Sequence, residues 1–279
     1  MPEQREVSED INFDHLADLF KRRVSGDIKG RLRVALLKRD LEEEFPNLFS
    51  GHPRLNILDL GAGEGEFAVE CAKAGHQVLL CDHSEVMLAR AQQRAEDAGV
   101  LNSTDFYQGA IQTLPDSHLG HYDLVLCHAV LEWVVEPESL VNRIAGYIKP
   151  GGFLSLMFYN AHSTVFRSLI RGYLEKVQSG RLEGNGQGLT PINPLLPEDV
   201  VKWCQQSRLE VLQKTGIRVF HDYMHKDVRD RRNENDILEL ELKYSRMEPF
   251  RAMGRYYHLL CGASSGSVVS NSKVSHLGS

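Results

Sequence analysis

Strand-like runs alternate with segments of helical spacing through the middle of the chain. The run at 122–130 is continuously apolar, as is typical of a central parallel strand. The five strand-like runs lie at residues 55–60, 76–82, 104–110, 122–130 and 153–160. Helical periodicity occupies about ten residues ending at Ala74, then residues 84–100 and 137–148. This alternation predicts an α/β fold with a doubly wound, mostly parallel sheet.

The regular alternation ends after residue 160. The later pattern predicts helices at 163–178, 197–207 and 232–246, and strands at 209–220 and 255–262. A long loop with glycine and proline is expected at residues 179–197. We therefore expect one domain over residues 11–261, with an N-terminal helical lid and an insertion after the fifth strand. Residues 1–10 and 262–279 are expected to be disordered tails.

Composition narrows the function classes. The chain has 279 residues and a formal net charge of -6, which disfavours indiscriminate binding of nucleic acid but leaves a local basic face open. Five scattered cysteines without CxxC spacing predict neither a disulfide framework nor a zinc site, and we expect no metal. No apolar run reaches the ~20 residues of a membrane helix, and the polar N-terminus does not resemble a signal peptide. We expect a cytoplasmic protein with reduced cysteines.

Positive charge is concentrated near the N-terminus. Residues 11–44 are expected to be helical, and residues 21–39 hold eight lysines and arginines against one acid, Asp27. One interpretation is a solvated helix face, and the other is a basic lip over a binding cleft.

The stretch NILDLGAGEGEF, residues 56–67, places a glycine-rich loop directly after the first strand. The dinucleotide fingerprint GxGxxG fails here, because Glu66 stands where the third glycine is required. Asp59, Glu64 and Glu66 would also repel a pyrophosphate. A positively charged ligand reverses this argument, and glycine still allows the backbone to approach it closely.

Asp82 ends the second strand and follows the glycine loop at the spacing of a carboxylate that accepts ribose hydroxyls. The alternative is purely structural, with residues 61–65 forming a tight turn and Asp82 capping a helix. The carboxyl ends of parallel strands are the expected position of a ligand in such a sheet.

Three motifs resemble the class I S-adenosylmethionine-dependent methyltransferases, whose fold is a seven-stranded Rossmann-like sheet. They are LDLGAGEGEF (58–67), LLCDHSEVML (79–88) and IKPGGFLSLM (148–157). Further stretches resemble the bacterial tRNA 5-carboxymethoxyuridine methyltransferases over about residues 11–260. These are CHAVLEWV (127–134), LSLMFYNAH (154–162), TGIRVFHDY (215–223), LELE (238–241) and EPFRAMGRYYH (248–258).

The resemblance implies an activity and a set of ligands. It implies methylation of the carboxylate of 5-carboxymethoxyuridine at the tRNA wobble position, giving the methyl ester, with S-adenosylmethionine as cofactor and the tRNA anticodon stem-loop as partner. It also implies cofactor contacts at Arg33, Gly61, Ala62, Asp82, Ile111, Gln112 and His128, and the loop argument adds Asp59 and Gly63. Ala62 stands where the family can have glycine, and its side chain fits there if φ is negative. The sequence does not indicate an oligomeric state.

Each cofactor candidate has a competing interpretation. Arg33 can pair with the methionine carboxylate of the cofactor, or it can be a surface arginine. Asp59 can accept from the cofactor ammonium or orient the loop. Gln112 can contact the adenine edge or cap the following turn, and Ile111 offers only a backbone or apolar contact. His128 can touch the cofactor at the end of strand four, or it can be a satisfied core residue.

The substrate side is less defined. Arg218, His221 and Tyr159 are candidates for holding the substrate carboxylate, and Tyr159 can alternatively stack on a flipped base or belong to the core. Lysines and arginines at 21–23, 29, 31, 229, 231 and 232 are candidates for RNA phosphates.

A small-molecule carboxyl methyltransferase and a non-catalytic cofactor-binding module are the alternatives. A tRNA substrate predicts a positive surface around the cleft mouth, whereas a small molecule predicts an enclosed pocket.

Overall fold

Seven strands form one sheet in the part of the chain that the structure describes. The structure is a computed structural model and describes residues 10, 27–51, 53–182, 184 and 191–264. The strands are β1 (Asn56–Leu60), β2 (Gln77–Asp82), β3 (Thr104–Gln108), β4 (Tyr122–His128), β5 (Ile148–Tyr159), β6 (Leu209–Ile217) and β7 (Tyr256–Ala263). Their order is β3-β2-β1-β4-β5-β7-β6. β1 to β5 pair in parallel and β7 pairs antiparallel with β5 and β6, which confirms the predicted mostly parallel sheet.

Helices cover both faces of this sheet. Those of the described residues are α1 (Ile28–Glu44), α2 (Glu66–Lys73), α3 (Glu85–Asp97), α4 (Pro137–Tyr147), α5 (Ala161–Ile170), α6 (Leu174–Gln178), α7 (Pro197–Gln206), α8 (Lys226–Arg229) and α9 (Glu234–Tyr244). One apolar cluster joins α4 and α7 to one face, and the other joins α1, α2 and α3 to the opposite face. Because both faces are covered, β1 is buried from Ile57 to Leu60, as its apolar sequence predicts.

α1 begins where Asp27 caps it. The Asp27 carboxylate accepts from the backbone N–H groups of Lys29 and Gly30, at 2.9 and 3.1 Å. Leucines at 32, 36, 37 and 41 lie on the buried side of the helix. The predicted helix at 11–44 is therefore confirmed from residue 28 onward, and its residues 11–26 lie outside the described part of the chain.

Three element boundaries differ from the sequence prediction. β5 begins at Ile148, which pairs with Tyr122 before the register shifts, so the KPGG turn is part of the strand. The helix expected at 163–178 is two helices, because Gly172 adopts a φ of 75° between them. The strand expected at 209–220 ends at Ile217, because Arg218 has a φ of 61°.

The predicted tails meet the described residues at two points. β7 continues to Ala263, two residues past the predicted end of the domain. Asp10 is described and makes contacts in the site discussed below. The remaining residues of both predicted tails lie outside the described ranges, apart from the exposed Ser264.

Candidate active site

A cavity opens at the carboxyl ends of β1, β2 and β4, where the loops after these strands meet α1. All nine residues predicted from the sequence to contact a cofactor line it: Arg33, Asp59, Gly61, Ala62, Gly63, Asp82, Ile111, Gln112 and His128. The structure thus brings together residues separated by almost a hundred positions in the chain. Apolar side chains complete the wall, among them Leu37, Phe67, Met87 and Met157.

The glycine loop is shaped by its backbone conformation. Gly61, Gly63 and Gly65 have φ values of 68°, 56° and 69°, in the left-handed region that favours glycine. Ala62 is outside that region, so its side chain fits without the strain that a positive φ would impose. A Cβ atom on Gly61 would overlap the Val130 side chain, so this glycine also serves packing.

Gly63 faces the cavity instead. A Cβ atom added there would meet only the Met87 methyl group, at 3.8 Å, so the loop leaves space for a ligand to approach the backbone. The Gly63 N–H donates to one Asp82 carboxylate oxygen at 2.7 Å, and the Ser84 N–H donates to the other at 2.8 Å. Each carboxylate oxygen can accept more than one hydrogen bond, so Asp82 can hold the loop and still accept from a ligand hydroxyl.

The pKa of Asp59 is unusually high for an aspartate. The residue is 5% exposed, and burial, followed by the nearby charge of Asp82, raises the pKa of Asp59 to about 7. The Glu64 carboxylate is neutralised by Arg90 at 3.0 Å and Arg94 at 3.5 Å. The negative character of the cavity therefore comes from Asp10, Asp59, Asp82 and the half-exposed Glu66, and a positively charged ligand would reduce the repulsion between Asp59 and Asp82.

Arg33 extends from α1 into the cavity. Its side chain is 15% exposed, and its Nη2 atom lies 3.7 Å from the Glu66 carboxylate. Burial, opposed in part by acidic neighbours, lowers the pKa of Arg33 from its ordinary value. An arginine held in this way is suited to pair with a carboxylate group of a ligand, in a bidentate arrangement.

Ile111 and Gln112 lie in a short 3-10 turn, Ile111–Thr113, after β3. Ile111 is buried against the cavity, which leaves it an apolar or backbone contact as expected. The Gln112 side chain donates to the Asp10 carboxylate at 2.9 Å, and the Val135 N–H donates to the same carboxylate at 2.9 Å. Asp10 lines the cavity although the sequence assigned it to a disordered tail, and nothing in its polar surroundings signalled this position.

His128 ends a chain of buried hydrogen bonds. Its Nε2 atom lies 2.8 Å from the Ser155 hydroxyl, which lies 2.9 Å from His258 Nε2, and His258 Nδ1 lies 2.8 Å from the Asp40 carboxylate. Burial alone would raise the pKa of Asp40, but the hydrogen bond and charge of His258 lower it to about 2. Burial lowers the pKa of His128 well below its usual value, so the ring is neutral at pH 7.

The three candidates for holding the substrate carboxylate, Arg218, Tyr159 and His221, lie at different places in the structure. The Arg218 guanidinium lies 5.2 Å from the centre of the Tyr256 ring and pairs with Asp222 at 3.2 Å. The positive charge of Arg218 contributes to the lowered pKa of Arg33. Tyr159 lines a second cavity beside the first, and its ring meets the Tyr256 ring edge-on at 5.4 Å. Arg218 lines neither of the two cavities but its charge acts on Arg33 in the first, and Tyr159 lines the second.

His221 does not reach either cavity. It has no exposed surface, its backbone N–H donates to Glu241 at 2.9 Å, and its ring Nδ1 lies 3.0 Å from Asp222. The structure therefore corrects its expected role: His221 can orient Asp222, which in turn pairs with Arg218, but it is not positioned to hold a substrate carboxylate.

Of the lysines and arginines that were expected to contact RNA phosphates, the structure brings only some together. Lys29 and Arg229 line one cavity with Arg167 and Arg171, two arginines that the sequence reasoning did not select. Arg31 instead contacts Glu234, and residues 21–23 lie outside the described part of the chain. The signal for Arg167 and Arg171 was weak, because two arginines on a helical stretch after β5 look like an ordinary solvated face.

All five cysteines are buried and form no disulfide bond. Within the described residues, no group of three or more His, Cys, Asp or Glu side chains is arranged to hold a metal ion. No helix of the described residues has the length and hydropathy needed to span a membrane.

Comparison with known proteins places these features in a family. Residues 58–156 match the family model described as a methyltransferase domain. The chain is 40% identical over 251 residues to the tRNA 5-carboxymethoxyuridine methyltransferase of Escherichia coli (strain K12), covering 90% of this chain and 95% of that protein. It is 29% identical over 164 residues to a ubiquinone biosynthesis O-methyltransferase of Pectobacterium atrosepticum, covering 58% of this chain and 64% of that protein.

A solved structure shares the fold. The magnesium protoporphyrin IX methyltransferase of Synechocystis PCC 6803, crystallised with bound SAH, aligns with a TM-score of 0.60 at 19% identity, covering 90% of this chain and 96% of that one. At this level of identity the likeness extends to the fold alone. The near full-length match to the Escherichia coli protein is more specific, and on that basis the chain belongs to the family of the tRNA 5-carboxymethoxyuridine methyltransferases.

Proposed function

We propose that this protein transfers a methyl group from S-adenosylmethionine to the carboxylate of 5-carboxymethoxyuridine at the wobble position of tRNA, giving the methyl ester. The observation that carries the proposal is the 40% identity to the Escherichia coli enzyme, because it spans 95% of that protein and includes the region after residue 160. The core methyltransferase motifs fix no substrate, whereas this region contains Arg218 and the wall of the second cavity.

The charges that line the first cavity fit the proposed cofactor. S-adenosylmethionine supplies an activated methyl group on a sulfonium, and it also carries an ammonium and a carboxylate. Asp59 and Asp82 offer negative charge to the cationic groups and the ribose, and Arg33 offers a guanidinium to the carboxylate. The open space at Gly63 allows close approach to the backbone, and Ile111 and Gln112, which line the same cavity, would hold the adenine.

The reaction requires little acid–base chemistry. A carboxylate nucleophile is already ionised at neutral pH, so the protein must align it with the methyl carbon and exclude water. The neutral His128 agrees with this requirement, because it can shape the cavity without competing for a proton.

Methyl transfer also removes charge. An anionic carboxylate and a cationic sulfonium become a neutral ester and a thioether, so an apolar wall that includes Phe67 and Met157 favours the less charged transition state. A guanidinium that gripped the carboxylate tightly would stabilise the ground state instead. Arg218 suits the task because Asp222 and the Tyr256 ring already engage it, so it can orient the carboxylate without neutralising it fully.

The basic residues around the second cavity favour RNA over a small molecule. A small carboxylic acid needs an enclosed pocket, whereas the cavity at Tyr159 is open and borders further arginines. We expect the anticodon stem-loop to be the part of tRNA that is recognised, and the cytoplasm to be the compartment of the reaction.

Methyl transfer tests the proposal directly. Purified protein is incubated with labelled S-adenosylmethionine and tRNA that carries unmethylated 5-carboxymethoxyuridine, and the nucleosides are identified by mass. We expect label in the methyl ester of that uridine and none with tRNA that lacks the modification. Cofactor binding without a methylated nucleoside, or label in small carboxylic acids only, would contradict the proposal.

A further inference from the structure

A second cavity lies beside the first at the carboxyl end of β5. We call it the arginine pocket, defined by Arg167, Arg171, Arg255, Tyr159 and Tyr173. α5 and α6 form one side, and Arg255, just before β7, forms the other. Neither the proposed cofactor nor the substrate carboxylate accounts for three arginines at this place.

The pocket carries excess positive charge. Among the described residues that line it, Glu175 is the only acid, against Lys176 and the three arginines. This local excess of positive charge contrasts with the net charge of the whole protein, which is -6. Clustered cations repel one another, so their arrangement costs folding free energy unless an anion compensates them.

Arg167 shows this cost most clearly. Its Nε atom is buried and has no hydrogen-bond partner, which leaves a donor unsatisfied. Burial, then the charges of Arg255 and Arg171, lowers the pKa of Arg167 from its ordinary value. A ligand that accepts from Arg167 would satisfy the donor and offset the repulsion in one step.

The Asp222 carboxylate, which pairs with Arg255, is also engaged by other residues. Asp222 lies 3.2 Å from Arg218 and 3.8 Å from Arg255, and its second oxygen lies 3.0 Å from His221. Its charge also acts on Arg167, but it does not offset the burial of Arg167 and the charges of Arg255 and Arg171, because the pKa of Arg167 remains lowered. The structure leaves these two arginines for a charge that comes from outside the protein.

The positive surface continues beyond the pocket. A neighbouring cavity shares Arg167 and Arg171 with it, and adds Lys29, Lys226 and Arg229 against one acid, Asp222. Because the two cavities share these two arginines, they form one continuous groove in which cations outnumber acids. One carboxylate needs a single guanidinium fork, whereas several spaced cations match a chain of phosphates.

The pocket is also at a suitable distance from the first cavity. Met157 lines the first cavity and Tyr159 lines the pocket, two residues apart on β5, so both side chains point to the same face about 7 Å apart. A base substituent that reaches the first cavity would leave the sugar and phosphate of the same nucleotide on the side of the pocket. Tyr173, 57% exposed, provides a ring on which an unpaired base can stack.

From these observations we infer that the arginine pocket and its extension bind the phosphates of RNA next to the nucleotide that is methylated. This inference rests on the proposed function for the identity of the RNA. Arg167 and Arg171 are the main phosphate ligands, and Tyr173 stacks on a neighbouring base. The contacts position the RNA without reading its sequence.

RNA binding with the cofactor-loaded full chain tests the inference. Fluorescence anisotropy measures the Kd of a labelled anticodon stem-loop RNA with unmodified uridine, over a series of salt concentrations. We expect Arg171→Ala and Arg167→Ala each to raise Kd roughly tenfold and to lower the salt slope by roughly 0.7 for each lost phosphate contact. Lys202→Ala, which removes an exposed cation outside both cavities, is the matched control and should change neither quantity.

Two further measurements separate the loss of an RNA contact from misfolding and from binding of a different ligand. Calorimetric affinity for S-adenosylmethionine should be unchanged in all three variants, which excludes misfolding. Unchanged RNA affinity and slope in Arg171→Ala and Arg167→Ala would overturn the inference. Binding of polyglutamate in place of RNA would also overturn it and assign the groove to an acidic protein. Failure of methyl transfer by the unmodified protein would refute the proposed function alone, because RNA binding is measured without it.

Discussion

Replacement of Asp59 by asparagine should change stability and cofactor affinity in opposite directions. The pKa of Asp59 rises from 3.8 to about 7 in the folded protein, mainly through burial. The folded protein therefore retains this proton more strongly than the unfolded chain, and stability is lost as the pH rises from about 4 to about 7. The rise corresponds to about 4 kcal/mol, since each tenfold change in an ionisation constant is worth about 1.4 kcal/mol.

Asp59→Asn removes this pH-dependent cost. The ligand-free variant should be more stable than the unmodified protein by about 2 kcal/mol near pH 5, and by about 4 kcal/mol near pH 8. At the higher pH this gain corresponds to a rise in Tm of about 10 °C. The same change removes a negative charge facing the cofactor cations, so Kd for S-adenosylmethionine should rise roughly thirtyfold, or about 2 kcal/mol.

Urea unfolding across this pH range and calorimetric titration near pH 7 measure the two effects. Titration above pH 8 is avoided because the ligand ammonium loses its own proton near there. Asp105→Asn, on the exposed side of β3, is the matched control and should show neither effect. A stability gain that does not grow with pH would refute the assignment of a raised pKa to Asp59, and with it the reason why the cavity prefers a cation.

Four more substitutions separate packing from binding. Asp82→Ala should weaken S-adenosylmethionine binding at least tenfold in calorimetry, through loss of a charged acceptor, and an unchanged Kd would remove Asp82 from the site. Gly61→Ala should cost about 1–3 kcal/mol in urea unfolding because its Cβ overlaps Val130, whereas Gly63→Ala should cost less stability and more cofactor affinity. Arg218→Ala should spare cofactor binding and lower turnover roughly a hundredfold, and an equal loss of both would exclude its substrate role.

The sheet and the first cavity could be predicted because their signals are local. The alternation of apolar runs and helical spacing predicts five strands joined by helices in a doubly wound sheet, and parallel strands place their carboxyl ends at one edge. The glycine loop and Asp82 follow two adjacent strands, so their meeting across the Gly63 hydrogen bond follows from the same rule.

His221 and Asp10 were misjudged because their positions depend on distant segments. The burial of His221 comes from α9, whose Glu241 side chain accepts from three successive backbone N–H groups, those of Val219, Phe220 and His221. No periodicity near residue 221 signals this contact. Asp10 likewise owes its place to Gln112 and Val135, more than a hundred positions along the chain.

A series of buried hydrogen bonds runs from Asp40 to His128 and holds α1, which forms part of the wall of the first cavity, against the sheet. Arg33 and Asp40 are seven residues apart in α1, so they lie on one face of the helix. Arg33 points into the first cavity, whereas Asp40 binds His258 on β7 and also pairs with Arg246 at 2.6 Å. Removing one partner of such a buried network leaves a charge uncompensated, which costs about 3–5 kcal/mol. Asp40 thereby ties α1 to the sheet, and the position of Arg33 over the cofactor cavity depends on an anchor two turns away.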